Sequence, residues 1–559
     1  MLPKRLKFIL DRNVTLGSLL DSAIEGREHE IYFTSDEDLS RYGMPKAGLT
    51  GAGLLTLSNK LCNILVGRKV ERFDRVAIWK ANSLDYFFWS LSVIRRGGIS
   101  VPVNGRMPVE NFVRFANHCG VKTVITDQEG AAKLAGMRGP VGTIETLILT
   151  DGMARVDQLD LLSLDSLLPS ASDRFDPPFM DRDQHCMICH TSGTTGFPKG
   201  VLHGSDSFIL AAKGQMKIQP MTRRNKVMFA GWMNHHISQA GCITSLAAGM
   251  HNHIVTDHDP GHILRSIEME KPQFFFAFPN VYQAMCRFGL DTYDLSSMRA
   301  WMSSGDAMHE VFTRQLVAQG AFLRLFGRKW ISSLFMDFLG TSEVGFGALM
   351  KLSSDRTSSY GRLVGRPTPA SPKVKIGDAE GRPLPAHTVG RIMVKGPTLF
   401  KGYWNLNDRT HDVTRDGWWW TGDVGYRDHF GRFYQLDRDV DTVITAQGPV
   451  YGLPIEEEAL KLPNVVEAVL VSRELADGGS AAVMLFQMEP GAERDADAML
   501  ALLKANCLWA EHVSAIAFTE DDAPVPRGLT GKVLKRVLRD TEVKEVRETP
   551  SAQRVLEDA

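Results

Sequence analysis

Short β-branched or apolar runs alternate with helical stretches through the first three-quarters of this chain, and no other feature limits its fold so strongly. Arg75-Val-Ala-Ile-Trp79, Lys122-Thr-Val-Ile-Thr126, Glu145-Thr-Leu-Ile-Leu-Thr150 and Gln273-Phe-Phe-Phe-Ala-Phe278 read as strands. Strands spaced by helices predict α/β layers with parallel pairing. From about Gly361 the texture changes to short strands and turns, as in Val374-Lys-Ile-Gly-Asp-Ala-Glu-Gly381 and Gly390-Arg-Ile-Met-Val394. A β-rich subdomain is expected there. After the charged stretch Asp437-Arg-Asp-Val-Asp441 a new alternation begins: a helix at 456–462, a strand at 465–472 and a helix at 498–506. At 559 residues the chain is too long for one core. The expected division is a large α/β domain over 1–437, β-rich from about 361, and a small α/β lid over 438–559.

Composition narrows the function classes. Hydrophobic residues at 43% and charged residues at 23% are ordinary for a globular protein. A formal net charge of −1 gives no global field for nucleic acid or an anionic membrane. No apolar run is long enough for a membrane span, and the basic start is cut short by Asp11 and Arg12, unlike a signal peptide. Seven scattered cysteines suit a reducing compartment, so the cytoplasm is expected. Two patterns invite a metal and are set aside. Cys186-Met-Ile-Cys-His190 matches a haem-attachment pattern but runs directly into a glycine-rich loop, and His251, His253, His258 and His262 lack supporting ligands.

That loop, Thr191-Ser-Gly-Thr-Thr-Gly-Phe-Pro-Lys-Gly200, is the strongest local signal. Gly193, Gly196 and Gly200 let backbone N–H groups turn toward a polyanion. Ser192, Thr194 and Thr195 add hydroxyl donors and Lys199 a point charge. The motif is not a Walker loop. An exposed turn of small polar residues is the alternative.

This loop resembles the signature of the adenylate-forming superfamily, which includes acyl- and aryl-CoA synthetases, luciferases and peptide-synthetase adenylation domains. Further segments recur in the family's order over about four-fifths of the chain, closest in kind to the AMP-forming acyl-CoA synthetases. Asp337-Phe-Leu-Gly-Thr-Ser-Glu343 resembles the segment whose hydroxyl and glutamate meet nucleotide and Mg²⁺, although in isolation Ser342-Glu343 could equally cap a helix. Ser303-Ser-Gly-Asp306 resembles the loop laid on the adenine, and Trp420-Thr-Gly-Asp-Val-Gly425 the segment whose aspartate takes both ribose hydroxyls. Pro526-Arg-Gly-Leu-Thr-Gly-Lys532 resembles the loop carrying the catalytic lysine; Lys535, Arg536 and Arg539 follow at helical spacing and read as a solvated face.

The resemblance implies ATP, Mg²⁺ and coenzyme A as cofactors. It implies nucleotide contacts at Thr191, Ser192, Gly193, Thr194, Thr195, Gly196, Lys199, Ser304, Gly305, Asp337, Gly340, Thr341, Ser342, Asp423, Arg438 and Lys532, with the metal at Glu343 and Thr194. Catalytic roles fall to Lys532, Lys199, Glu343 and His236. His235 or His236 would pair with the substrate carboxylate, with a satisfied core histidine as the equal alternative. The stretch from Arg438 to Pro454 is longer than the family pattern, and Asp439 or Val440 is the expected hinge. The implied activity is ATP-dependent conversion of an apolar fatty or aromatic acid to an acyl-adenylate and then a CoA thioester, by a monomer or homodimer. Two alternatives stay open: loading of an acyl carrier protein, and a catalytically silent nucleotide-binding protein.

Overall fold

A computed structural model describes residues 4–540 except 158, 192–196, 219–222, 346, 359, 370, 476–477, 520–524 and 529–531. The fold is mixed α/β. Two eight-stranded sheets form the body of the large domain. In the first, Lys226–Ala230, Phe274–Ala277, Ala300–Ser304 and Leu334–Leu339 run parallel, flanked by His251–Ile254 and Ile31–Ser35. In the second, Ile99–Asn104, Arg75–Lys80, Thr123–Thr126 and Thr146–Leu149 are parallel, and His185–His190 pairs antiparallel with Gly200–Gly204. The four runs read as strands in the sequence are strands here, their ends differing by no more than one residue.

The alternation of side chains along each strand assigns them to separate cores. In the first sheet Val227, Phe229, Phe274, Phe276 and Met302 join a core shared with Val76 and Ile78 of the second. Met228, Phe275, Ala277 and Trp301 face the opposite way into their own cluster, as do Ala77, Trp79, Val101 and Val103. The shared core is filled by the helices Leu16–Ile24, Gly51–Gly67, Asp85–Arg95, Ser205–Ile218 and His236–Ala248, so the sheets lie on either side of a helical layer. The β-rich part is a six-stranded antiparallel sheet built around Gly390–Lys395, Trp418–Arg427 and Phe433–Arg438. The last unit packs Gly452–Ala459 and Ala496–Asn506 on the sheet Val465–Glu474, Ser480–Met488, Val513–Phe518. No described helix is long and apolar enough to cross a membrane.

A polar network crosses the shared core. The Lys80 ammonium pairs with Asp85 at 2.7 Å, Tyr42 donates its hydroxyl to the same carboxylate oxygen, and the Trp89 indole N–H donates to Tyr42. Lysine, phenol and indole thereby satisfy one another and Asp85 Oδ2 where water is excluded, while Asp85 Oδ1 is buried without a partner among the described residues. Glu37 lies at its edge, accepting the Leu84 N–H at 2.7 Å. Burial, and then the Asp85 charge, push the Glu37 carboxyl up to about 7. The native state therefore binds this proton more tightly than the unfolded chain. Its stabilising effect is complete below the unfolded value of 4.5 and is lost as pH rises through about 7. Glu37→Gln is expected to remove a decline of about 3 kcal/mol across that window. Urea melts from pH 4.5 to 8 would show the variant more stable than the parent at the alkaline end.

Candidate active site

The parallel strands of the first sheet end on one side, and their carboxyl ends carry Ser304, Gly305, Gly340, Thr341, Ser342 and Glu343. This is where ligands bind in α/β sheets. Ala300–Ser304 delivers Gly305, Leu334–Leu339 delivers the 340–343 turn, and Lys226–Ala230 delivers the 231–235 loop. His190 of the second sheet faces the same cleft, its Nε2 lying 3.5 Å from the Asn234 amide nitrogen.

The glycine-rich loop is pinned at its base. Thr191 N–H donates to the Lys199 carbonyl at 3.0 Å, and Lys199 N–H donates to the Thr191 hydroxyl at 3.1 Å. Ser192, Gly193, Thr194, Thr195 and Gly196 lie outside the described residues. The Lys199 ammonium stands 4.7 Å from the ring centroid of Tyr403, and the Tyr403 hydroxyl donates to Glu343 Oε1 at 2.9 Å. The strand pairing Tyr403↔Val201 sets this contact, because it lays Gly402–Tyr403 against the strand that leaves the loop. Lysine, phenol and carboxylate thus form one line across three segments. Burial, and then the Glu343 charge, hold the phenol proton on.

Glu343 is 7% exposed, within the one-turn helix Ser342–Val344. The ring Nε2 of His203 lies 2.8 Å from the Ser342 carbonyl, and burial lowers that imidazole to about 4. His203 is therefore neutral, its Nε2–H donating. Magnesium takes one or two carboxylates plus phosphate oxygens rather than an all-protein cage. Glu343, whose described partner is a hydroxyl and not a cation, fits that donor set. The described residues contain no cluster of three His, Cys, Asp or Glu groups able to hold an ion alone.

Asp423 and Arg438 are cross-strand partners in the β-rich sheet. Arg438 Nε lies 3.2 Å from Asp423 Oδ1, which also accepts the Gln435 amide at 3.1 Å. The guanidinium is held more firmly protonated by Asp423 first, and also by Glu343, Asp441 and Asp306. Carboxylates from three distant stretches, Asp306, Glu343 and Asp423, thus favour the same cation. A Cβ on Gly422, where φ is +81°, would lie 3.0 Å from Arg438 Nη2, so glycine leaves the guanidinium its place.

The loop at 304–305 is fixed from beneath. Ser304 donates to the Phe338 carbonyl at 3.0 Å, and Gly305, at φ +100°, lies so close to Phe278 that a Cβ would meet the ring at 3.1 Å. The Ser303 and Thr341 hydroxyls and His235 Nδ1 are buried without protein partners among the described residues. Buried polar groups are seldom left so, and such atoms around a cleft fit a ligand rich in hydrogen-bonding groups. Gly340 follows Leu339 at the rim. Asp337 has its backbone beside Ser303, while its carboxylate faces Lys351 at 4.0 Å; burial raises it.

The two adjacent histidines separate. His236 lies 4.7 Å from Phe208, nearly parallel, and 4.3 Å from His203, and burial pushes it far toward the neutral form. His235 is the one in electrostatic reach of Lys532: burial first, then the charges of His190 and Lys532, lower it to about 3. It stands edge-on to Phe278 at 5.2 Å. His190 accepts the Asn104 N–H at Nε2 and donates Nδ1–H to the Thr191 carbonyl, which fixes one neutral tautomer.

The Lys532 carbonyl accepts the Gly528 N–H at 2.8 Å, and Val533 bridges Arg527. The solvated face expected after it is not found at Lys535. That ammonium is buried against Glu456 at 2.8 Å and Asp437 at 3.9 Å, because two carboxylates with little water outbid solvent for it. Asp437 also accepts the Gly452 N–H at 2.6 Å, tying the lysine segment to the junction between the two domains. Sequence reasoning also missed Glu457. Its carboxylate lies 2.9 Å from His309 Nδ1 and 3.2 Å from Arg362, and accepts the Glu310 N–H. Nothing in Pro454-Ile-Glu-Glu-Glu458 distinguishes this glutamate from its neighbours.

Tyr403→Phe is expected to leave the buried Glu343 carboxylate short of a donor and cost about 1–3 kcal/mol. Urea unfolding without nucleotide measures it.

Residues 35–404 match the family described as AMP-binding enzyme. A 3-aminoavenalumate diazotase from Streptomyces is 29% identical over 84% of each chain. A long-chain-fatty-acid–CoA ligase from Mycobacterium tuberculosis is 26% identical over 88% of this chain and 93% of its own length. Among solved structures, an anthranilate CoA ligase in complex with anthranoyl-AMP superposes with a TM-score of 0.82 at 18% identity, covering 95% of this chain and 97% of the other.

Proposed function

Because this chain belongs to the AMP-binding enzyme family, we propose that it is an AMP-forming acid–thiol ligase: it activates an apolar aromatic or fatty acid with ATP and passes the acyl group to coenzyme A. The observation that carries this reading is the line Lys199–Tyr403–Glu343, together with the Asp423–Arg438 pair. Attack of a carboxylate on the α-phosphate brings two anions together, so the barrier is largely electrostatic.

Lys199 meets the phosphates from the glycine-rich loop, and Glu343 holds the ion that screens their charge. Asp423, with one oxygen taken by Arg438 and Gln435, offers the other to the ribose hydroxyls. Thr341 and Ser303 supply unused hydroxyls toward the base. His235 is uncharged before substrate arrives and gives the acid a hydrogen-bonding partner. Lys532 neutralises the charge that builds as carboxylate and phosphate approach. Phe278 and Phe276, in contact at 5.9 Å, favour a substrate with a large apolar face.

Transfer to a carrier-protein phosphopantetheine is the second thiol reading, and a nucleotide-binding protein without ligase activity is the reading from another class. The relative named a diazotase favours including aminoaryl acids in any substrate panel. Acid-dependent ATP–pyrophosphate exchange, followed by mass spectrometry with CoA and with carrier protein as acceptors, separates these. Lys532→Ala is expected to lower exchange by roughly 10²–10³-fold while thioester formation from supplied acyl-adenylate persists. Equal loss of both steps in a folded variant would reject the division of labour between the domains. Nucleotide binding without exchange for any acid would reject the ligase.

A further inference from the structure

Between the helix Glu310–Ala318 and the strand Leu334–Leu339 the chain makes a separate two-stranded hairpin, Ala321–Leu325 with Arg328–Ser332, that joins neither large sheet. Leu325 pairs with Arg328 and Arg324 with Lys329, so the turn is the two residues Phe326 and Gly327, both with positive φ at 50° and 75°. Such turns match the twist of a hairpin but favour Asn or Gly at the first position. Phenylalanine there holds a bulky residue in the left-handed region, which local structure alone does not reward. Its side chain packs on nothing: Phe326 is fully exposed, Trp330 is 59% exposed, and Leu323 and Leu325 are more than one-third exposed.

The charges on the hairpin have one sign. Residues 321–331, Ala-Phe-Leu-Arg-Leu-Phe-Gly-Arg-Lys-Trp-Ile, hold three cations and no carboxylate. Arg299 and Arg356 donate to the carbonyls of Phe322 and Trp330 and add two more at the base. Asp355 lies at the far end, its N–H bonded to the Ser332 hydroxyl. The near-neutral charge of the whole chain does not cancel this local field, since salt screens interactions beyond about 8–10 Å.

We propose that this hairpin docks the protein on an anionic lipid surface, with Phe326 and Trp330 entering the headgroup region and Arg324, Arg328 and Lys329 meeting lipid phosphates. An aromatic tip ringed by cations is the arrangement that interfacial binding rewards. A second copy of this chain fits the charges badly. A two-fold interface sets a patch on its own copy, so three cations would oppose three cations. The proposal is independent of the reaction assigned to the cleft.

Flotation of the full chain with vesicles of phosphatidylcholine alone, or mixed equally with phosphatidylglycerol, tests it. Binding is expected only to the mixed vesicles and to weaken with added salt. Arg324→Gln with Arg328→Gln and Lys329→Gln is expected to reduce partitioning about 100-fold, at about fivefold per cation. Phe326→Gly separates docking from folding: it relieves the left-handed backbone, so the melting temperature is expected to hold or rise while vesicle binding falls. Equal binding to both compositions, absence of binding, or undiminished binding by Phe326→Gly would overturn the proposal. So would a concentration-dependent dimer in lipid-free buffer that Phe326→Gly abolishes, which would assign the tip to a second copy.

Discussion

The hydrogen bond from Tyr403 to Glu343 is the contact on which the cleft depends. A carboxylate kept from water needs donors. The phenol supplies one donor, and its ring faces the Lys199 ammonium. The bond also joins three stretches far apart in the chain: the glycine-rich loop, the 340–343 turn and the short strand Gly402–Tyr403. Because Gly402–Tyr403 pairs with Gly200–Gly204, the sheet fixes the distance between lysine and carboxylate. A fixed arrangement spares the cleft much of the reorganisation that solvent would undergo as charge moves.

The α/β architecture was legible because its signal is local and repeated. Strands such as Arg75–Lys80 and Phe274–Ala277 announce themselves by side-chain type, and the alternation that puts Phe274 and Phe275 in different cores follows from strand geometry. Motif order singled out the segments at 304–305 and 340–343, which the structure sets at the ends of neighbouring strands. Of the glycine-rich loop, residues 192–196 lie outside the described residues, and the structure shows Thr191 and 197–200.

Partners remote in sequence were not legible. Nothing in Gly402-Tyr-Trp404 states that the Tyr403 hydroxyl will find Glu343. Helical spacing placed Lys535 with Arg536 and Arg539 on a wet face, but spacing fixes a face and not what packs on it; Glu456 and Asp437 decide the matter. The two histidines after Asn234 look interchangeable in the sequence. Helix onset at His236 turns that ring toward Phe208 and His203 and leaves His235 at the cap, toward the cleft.

The carboxylate of Glu457 has a mechanical consequence. It is gripped from the large domain by His309, Arg362 and the Glu310 amide, all on the far side of the junction from its own helix. Turning the C-terminal unit through even a small angle would strip those partners before water could replace them. Displacing it would leave a carboxylate in a dry seam with no cation beside it, so this one side chain acts as a latch on the orientation seen here.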